Sequence, residues 1–314
     1  MTGLSRTARA NALLVFAAVL WGLAFTAQRL GAERMGAYTF SSVRFAMGAV
    51  LLVIIIQIVD GVRHTPSAQR RAATRAVLVP ALPIGVALTV AVNLQQVGLV
   101  TVTASDAGFV TGLYLVFVPL LGLFWGRRVH WSMAIAVVLA VTGLYLIAVT
   151  GTLTLKPGDL LLLGCALAFA VQILLIDHLG THLDPLRFAS AQFGWCAVFS
   201  GVLALWREPA PFQGMGESVW PLLYGGLISV GIAYTLQVVA QRDAQPTPAA
   251  LIMALEAVFG AVGGVLLLHE SLPLRGWVGA ALMLIGSLTA QIGSIKNEMR
   301  TTPAPAASPA PSLP

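Results

Sequence analysis

Charge is what this sequence has least of. Asp, Glu, Lys and Arg make up 10% of its residues, against about a quarter in a water-soluble globular chain. So few ionic groups cannot cover a water-facing surface, which excludes a soluble domain. Cysteine is nearly absent too: Cys165 and Cys196 lie 31 residues apart inside apolar runs, where a thiol behaves as a small hydrophobe. That excludes a disulfide scaffold, and no His, Cys, Asp and Glu spacing suits a metal. The patterns of common catalytic centres are missing as well. There is no Gly-x-Ser-x-Gly turn and no Gly-Lys-Ser/Thr phosphate loop. His269-Glu270 lacks the second His of a zinc helix and stands next to Pro273. The residues thus point away from an enzyme, from a cofactor and from ATP-driven pumping. Acidic charge is scarcer than basic, leaving a net +6, but 16 of the 18 cations are arginines scattered through short loops. Basic loops between apolar runs read as membrane flanks rather than as a nucleic-acid surface.

What is present is apolar sequence: 58% of the residues are hydrophobic. A membrane helix needs about 20 apolar residues at about 1.5 Å rise each, and the chain predicts ten such spans: 11–30, 37–58, 76–97, 101–125, 131–150, 158–177, 186–206, 220–241, 247–268 and 275–294. Short breaks such as Lys156-Pro157-Gly158, Asp184-Pro185 and Arg207-Glu208-Pro209 separate them. Continuous runs such as Leu51 to Ile56 contradict the alternation of a membrane β-barrel. The fold class is an all-α integral membrane protein. The first run contains Trp21 and no small-residue cleavage site follows it, so it reads as an uncleaved span. With the N-terminus inside, 12 Lys and Arg fall on the inner side and 5 on the outer, with Arg44 within a span. That asymmetry predicts a cell-membrane protein with both termini cytoplasmic. Trp125, Trp131, Trp206 and Trp220 fall at span ends, where interfacial rings belong.

The two halves resemble each other. Phe40-Ser41-Ser42-Val43-Arg44-Phe45 aligns with Phe188-Ala189-Ser190-Ala191-Gln192-Phe193 at an offset of 148. Leu94-Gln95 aligns with Leu236-Gln237, Val116-Phe117 with Val258-Phe259 and Gly122 with Gly264, all at 142, and Gly143 meets Gly286. Five spans per copy is an odd number, so the second copy enters from the opposite side: an inverted repeat, found in many secondary transporters with a midplane site and alternating access. The predicted division is residues 1–150, residues 151–296, and a disordered Pro/Ala-rich tail over 297–314.

Over residues 11–294 the chain resembles the drug/metabolite transporter superfamily, EamA-type. The resemblance is carried by Trp21-Gly22, Arg44-Phe45, Ser105 to Tyr114 followed by Pro119, Tyr234, Leu255-Glu256-Ala257-Val258-Phe259 and His269-Glu270-Ser271. The chain departs from the family where Pro often stands in place of Ala257, which predicts a straighter ninth span, and where Glu often stands in place of Arg128. The resemblance implies export or uptake of a small metabolite, amino-acid-like compound or drug, without ATP. A passive channel is the rival, although no ring of charges along a pore is visible. The partners to look for are a small-molecule substrate, the lipid bilayer, protons as a coupling ion, and a second copy of the chain in a homodimer.

Polar groups inside spans need a reason, because a charge at the bilayer centre costs about 2.5–3.5 kcal/mol on insertion scales. Glu256 sits nine residues into the ninth span, hence about 13–14 Å deep. It suits proton coupling or a counter-ion for a substrate amine, against the alternative of a hydrogen-bonded link between helices. Arg44 and Asp106 lie at similar depth, roughly 8–11 Å below the outer boundary, and an ion pair between them would make a clamp or outer gate. Trp21, Phe25 and Gln28 share a helix face, as do Tyr234, Gln237 and Gln241. With Asn93, Gln96, Thr111, Tyr114 and Gln172 they suit a metabolite cavity, although interhelical hydrogen bonding would use the same residues. Gly108/Gly112, Gly122/Gly126 and Gly260/Gly264 have the small-residue spacing of close helix contacts.

Overall fold

Ten helical stretches are long and apolar enough to cross a membrane. They are seen in a computed structural model that describes residues 3–32, 34–102, 104–127, 130–149, 157–268 and 272–301. Among the described residues there is no strand. Span one is α1 (Gly3–Ala32), span two α2 (Ala37–Val62) and span three α3 (Ser67–Gly98). Span four is split into α4 (Ala104–Gly112) and α5 (Tyr114–Phe124). Spans five to seven are α6 (Trp131–Ala148), α7 (Pro157–Gly180) and α8 (Pro185–Arg207). Span eight joins α9 (Val219–Leu223), a π-helical segment (Tyr224–Tyr234) and α10 (Thr235–Ala240). Span nine is split into α11 (Pro246–Met253) and α12 (Glu256–Leu268), and span ten is α13 (Leu274–Thr301). The helices expose Val53, Ile54, Val138, Val202 and Leu288, as lipid-facing surfaces do.

The packing has a pseudo-two-fold pattern. Spans two and seven pack on each other, as do spans five and ten, each being the other's repeat mate. Span three lies on span six as span eight lies on span one, and span nine on span one as span four on span six. The interlocked halves leave one central space lined from both.

Several boundaries differ from the sequence expectation: α1 starts at Gly3 rather than 11, and α2 runs on to Val62 rather than 58. α3 starts at Ser67, nine residues early, because its basic first turns are held at the membrane edge: Arg70 Nε donates to the Thr65 carbonyl at 2.7 Å and Nη2 to the Asp60 carbonyl at 3.0 Å. α4 starts at Ala104 rather than 101, after a turn in which Thr101 N–H donates to Gly98 at 3.0 Å. α13 continues to Thr301, so 297–301 is helical, and 302–314 lie outside the described residues. A further difference concerns span nine. Lacking Pro at Ala257, it was expected to be straighter, yet it is interrupted at Ala254–Leu255, where Leu255 N–H reaches Ile252 at 3.0 Å and Ala257 N–H reaches Ala254 at 3.2 Å. These bonds span three residues instead of four, the tighter turn that often marks a hinge. Span four tightens in the same way at Leu113, whose N–H donates to Val110 at 3.2 Å. Leu113 and Leu255 are repeat mates at the offset of 142.

No proline is needed at the second interruption, because α12 is locked backbone to backbone on α1. A methyl on Gly22 would stand 2.7 Å from both the Glu256 carbonyl oxygen and the Gly260 nitrogen. Gly22→Ala is therefore expected to cost about 2 kcal/mol, read as a lowered unfolding midpoint in detergent. Gly194→Ala, whose Cβ meets open space, does not lower that midpoint. Close contacts of this kind also join spans five and ten, at Gly143 against Gly279 and at Gly286, whose added Cβ would stand 2.7 Å from the Ala136 carbonyl oxygen. Of the glycines expected to pack, Gly112 meets Leu144 and Gly260 meets Gly22. Gly108 faces open space and Gly122 meets only the Arg127 side chain. Gly126 ends α5: its φ of 73° and the paired bonds Gly126 N–H to Leu123 and Arg127 N–H to Gly122 are the Schellman stop. The side-chain position at Gly264 lies outside the described residues.

At one membrane edge, Arg187 Nη2 binds Asp60 Oδ2 at 2.5 Å and its Nη1 donates to Thr74 Oγ1 at 2.8 Å. Both charged side chains are about nine-tenths buried. Removing one member leaves the other buried and unpaired, so Asp60→Ala is expected to cost about 3 kcal/mol, measured as unfolding midpoint. Arg127 pairs with Asp177 on the same edge, tying the end of α5 to α7.

Candidate substrate cavity

The central space is lined by Trp21, Phe25 and Gln28 of α1, Arg44 of α2, Gln95 of α3, and Thr111 and Tyr114 at the span-four break. Phe169, Gln172 and Ile173 of α7, Ser229, Tyr234 and Gln237 of span eight, and Met253 and Glu256 at the span-nine break complete it. Both helix interruptions thus open onto it, and α5 and α12 begin there with Tyr114 and Glu256. Its volume is about 40 Å³, room for a few waters and far below the roughly 300 Å³ at which small-molecule sites begin. The described state is contracted.

An aromatic group forms one wall. Trp21 and Tyr234 meet edge to face with centroids 4.7 Å apart, and Phe45 and Phe193 pack on Tyr234 at 5.7 and 6.2 Å. The indole Nε1 of Trp21 donates to the Ser229 carbonyl at 3.3 Å. Ser229 lies in the π-helical segment, whose i to i+5 bonding is rare and often found at functional sites. Gly226 lets that segment pass close to α2: a Cβ there would stand 2.8 Å from Met47 Cβ and 3.2 Å from the Arg44 carbonyl oxygen.

Arg44 is 1% exposed. Its guanidinium lies over the rings of Phe40 and Phe45 at 5.5 and 5.2 Å, within cation–π range. No carboxylate pairs with it among the described residues, and its Nε and Nη2 have no hydrogen-bond partner there. Glu256 is 8% exposed, and among the described residues it too has neither ion pair nor hydrogen bond. A basic and an acidic side chain therefore line one cavity without an ion pair between them. Gln237 Nε2 donates to Gln172 Oε1 at 3.2 Å, which leaves Gln172 Nε2 and Gln237 Oε1 unpartnered, as is Gln28 Oε1.

The structure gathers most of the residues expected from sequence: Trp21, Phe25, Gln28, Thr111, Tyr114, Gln172, Tyr234, Gln237 and Glu256. Asn93 and Gln96 lie elsewhere. Asn93 Nδ2 donates to Ser200 Oγ at 2.8 Å on the α8 side, and Gln96 Nε2 donates to the Gln28 carbonyl at 2.9 Å. Gln241 Nε2 is used by the Ile173 carbonyl at 3.2 Å. Their place on α3 is taken by Gln95. Arg44, expected as a gate element, lines the cavity itself. Asp106 falls in the first turn of α4, and its side chain lies outside the described residues, as does Arg128. Reasoning from sequence missed Gln95, Phe169, Ile173, Ser229 and Met253. The repeat held the signal for two of them: Gln95 is the mate of Gln237, and Met253 of Thr111, both at 142.

Known proteins share this architecture. A crystal structure of a protein 16% identical superposes with a TM-score of 0.72 over 92% of this chain and 98% of its own, which shows the common fold. An uncharacterized transporter of Archaeoglobus fulgidus is 26% identical over 276 residues, covering 87% of this chain and 82% of its own. The uncharacterized transporter YoaV of Bacillus subtilis strain 168 is 22% identical over 279 residues, 87% of this chain and 93% of its own. The sequence profile of the EamA-like transporter family matches twice, over residues 8–149 and again over 156–290. The chain is a multi-pass membrane protein that belongs to the EamA-like transporter family.

Proposed function

We propose that this protein is a secondary transporter of the cytoplasmic membrane that moves a small amino-acid-like metabolite by alternating access, with both termini in the cytoplasm. The observation that carries the reading is the unpaired Arg44 and Glu256 on one contracted cavity between the halves. A zwitterion supplies what each lacks: its carboxylate accepts from Arg44 Nε and Nη2, and its ammonium meets Glu256. Charge-assisted bonds of this kind are the strong ones. The free amide atoms of Gln28, Gln172 and Gln237 are left for the remaining polar groups, and the wall of Trp21, Phe25 and Phe169 faces the apolar part of the solute.

A cavity of about 40 Å³ admits such a solute only after widening, which favours a carrier over a passive channel. The tight turns at Leu113 and Ala254–Leu255 are where each half can bend without breaking a run of α-helical bonds. A bare carboxylate is costly in a closed cavity, so Glu256 crosses the closed state holding either the substrate ammonium or a proton. Alternation between these two loads exchanges substrate for protons.

The test is competition in proteoliposomes loaded with a mixture of amino acids. Free zwitterions are expected to be transported, while their methyl esters and N-acetyl derivatives compete about 10-fold more weakly or worse, having lost one charge each. Equal competition by both derivatives would overturn the zwitterion reading.

A further inference from the structure

A second and larger concavity lies on the lipid-facing side, between α2, α3 and α8, with a volume of about 780 Å³. Its two ends differ. One end is basic: Arg70, Arg71, Arg75 and Arg187 line it together with a single carboxylate, Asp60. Asp60 is already taken by Arg187 at 2.5 Å, with Arg70 at 3.9 Å. Arg71 and Arg75 are exposed and have no ion pair or hydrogen bond among the described residues. The other end runs along the membrane span between the exposed Val53, Leu78 and Val198, with Trp195 and Gly194 as its floor.

The floor has a built shape. Pro80 and Pro83 interrupt the hydrogen-bond ladder of α3, and the Trp195 indole donates to the Leu78 carbonyl at 3.0 Å across the groove base. Gly194 leaves the slot open, since an added Cβ there meets nothing within 4 Å. Trp195 is fixed on its other side by Phe199, their rings stacked at 5.7 Å.

We infer that this groove is a binding site for one anionic phospholipid, its phosphate held by Arg71 and Arg75 and one acyl chain lying over Gly194 and Trp195. Charge complementarity chooses the occupant: a net cationic mouth at the membrane edge joined to an apolar slot in the span fits a lipid with a negative headgroup. Basic clusters between helices on the cytoplasmic side recognise such headgroups, and in the proposed orientation this mouth faces the cytoplasmic leaflet. The lipid would bridge α3 to α2 and α8, elements from both halves, so its presence bears on how they move.

The test uses the full-length protein in detergent, with native mass spectrometry and thermal unfolding read after addition of phosphatidylglycerol or phosphatidylcholine. One phosphatidylglycerol is expected to stay bound and raise the unfolding midpoint, while phosphatidylcholine does neither. Arg71→Gln with Arg75→Gln is expected to weaken phosphatidylglycerol binding about 30-fold, at the usual strength of one surface arginine per headgroup contact. Gly194→Leu, whose Cβ would meet no atom within 4 Å and whose side chain would occupy the slot, is expected to release the lipid while the arginines remain. Arg9→Gln, on a different basic surface, leaves binding unchanged. The inference is overturned by equal binding of the two lipids, by equal loss in Arg9→Gln, or by displacement of the lipid with millimolar inorganic phosphate alone. It is also overturned if Gly194→Leu breaks a dimer while lipid binding persists, since the occupant is then a second copy of the chain.

Discussion

Glu256→Gln is expected to lose all transport driven by a pH gradient in proteoliposomes while still folding and inserting. The substitution keeps the size of the side chain and a polar group at the start of α12 but removes the group proposed to exchange a proton for the substrate ammonium. Accumulation against a gradient should fall to the level of protein-free vesicles. Affinity for a zwitterion should weaken by about 10-fold or more, the loss of one charge-assisted bond. Because Glu256 has no partner among the described residues, its neutral analogue leaves no orphaned cation behind, and the unfolding midpoint should not drop. Unchanged proton-driven accumulation in the variant would remove Glu256 from the coupling step.

Arg44→Met is the second large effect, and its signature is a split between function and stability. An arginine that holds the substrate carboxylate in a closed cavity contributes strongly to binding, so the variant should lose about 100-fold in apparent affinity. Its folded state, however, gains. Arg44 is buried with its Nε and Nη2 unpartnered among the described residues, and replacing a buried ionic group by an apolar one of similar volume is often stabilising by about 1–4 kcal/mol. The expected result is a raised unfolding midpoint together with lost transport. A lowered midpoint would instead identify Arg44 as a structural clamp, as an ion pair with Asp106 would require. Arg44→Lys separates charge from geometry: it keeps the cation but loses the planar fork that matches a carboxylate, so it should restore transport only in part.

The ten spans were legible because each is a matter of composition over about 20 residues, and the loops that punctuate them carry most of the charge. The interruptions at Leu113 and Ala254–Leu255 were not legible. A single turn tightened to three-residue hydrogen bonds leaves no mark on composition, and the one available cue, the absence of Pro at Ala257, pointed the wrong way. Contact between Gly22 and Gly260 replaces what proline would otherwise impose. The cavity was half legible. The α1 face of Trp21, Phe25 and Gln28 lines the cavity as a group, whereas on span eight Tyr234 and Gln237 do so and Gln241 turns to the Ile173 carbonyl. α3 defeats that reading, for it is covered by protein on several sides: Asn93 turns to α8, Gln96 to α1 and Gln95 to the cavity. Periodicity places residues on a face but does not say which face looks inward. The repeat does say so, through Gln95 and Gln237, and following that correspondence through every span would have recovered more of the lining than polarity alone.

The pairing of Tyr114 with Glu256 across the repeat has a thermodynamic meaning. Where the second half carries a carboxylate, the first carries a phenol, so among the described residues the cavity has one carboxylic acid instead of two. In the proposed exchange one such acid carries one proton per cycle. A unit of pH difference supplies about 1.4 kcal/mol to such a proton, and a potential of about 100 mV adds about 2.3 kcal/mol. For a solute of no net charge the two together sustain a concentration ratio of about 500-fold. A second carboxylate at Tyr114 would square that ceiling, so under the proposed coupling the asymmetry between the mates sets the limit on the gradient.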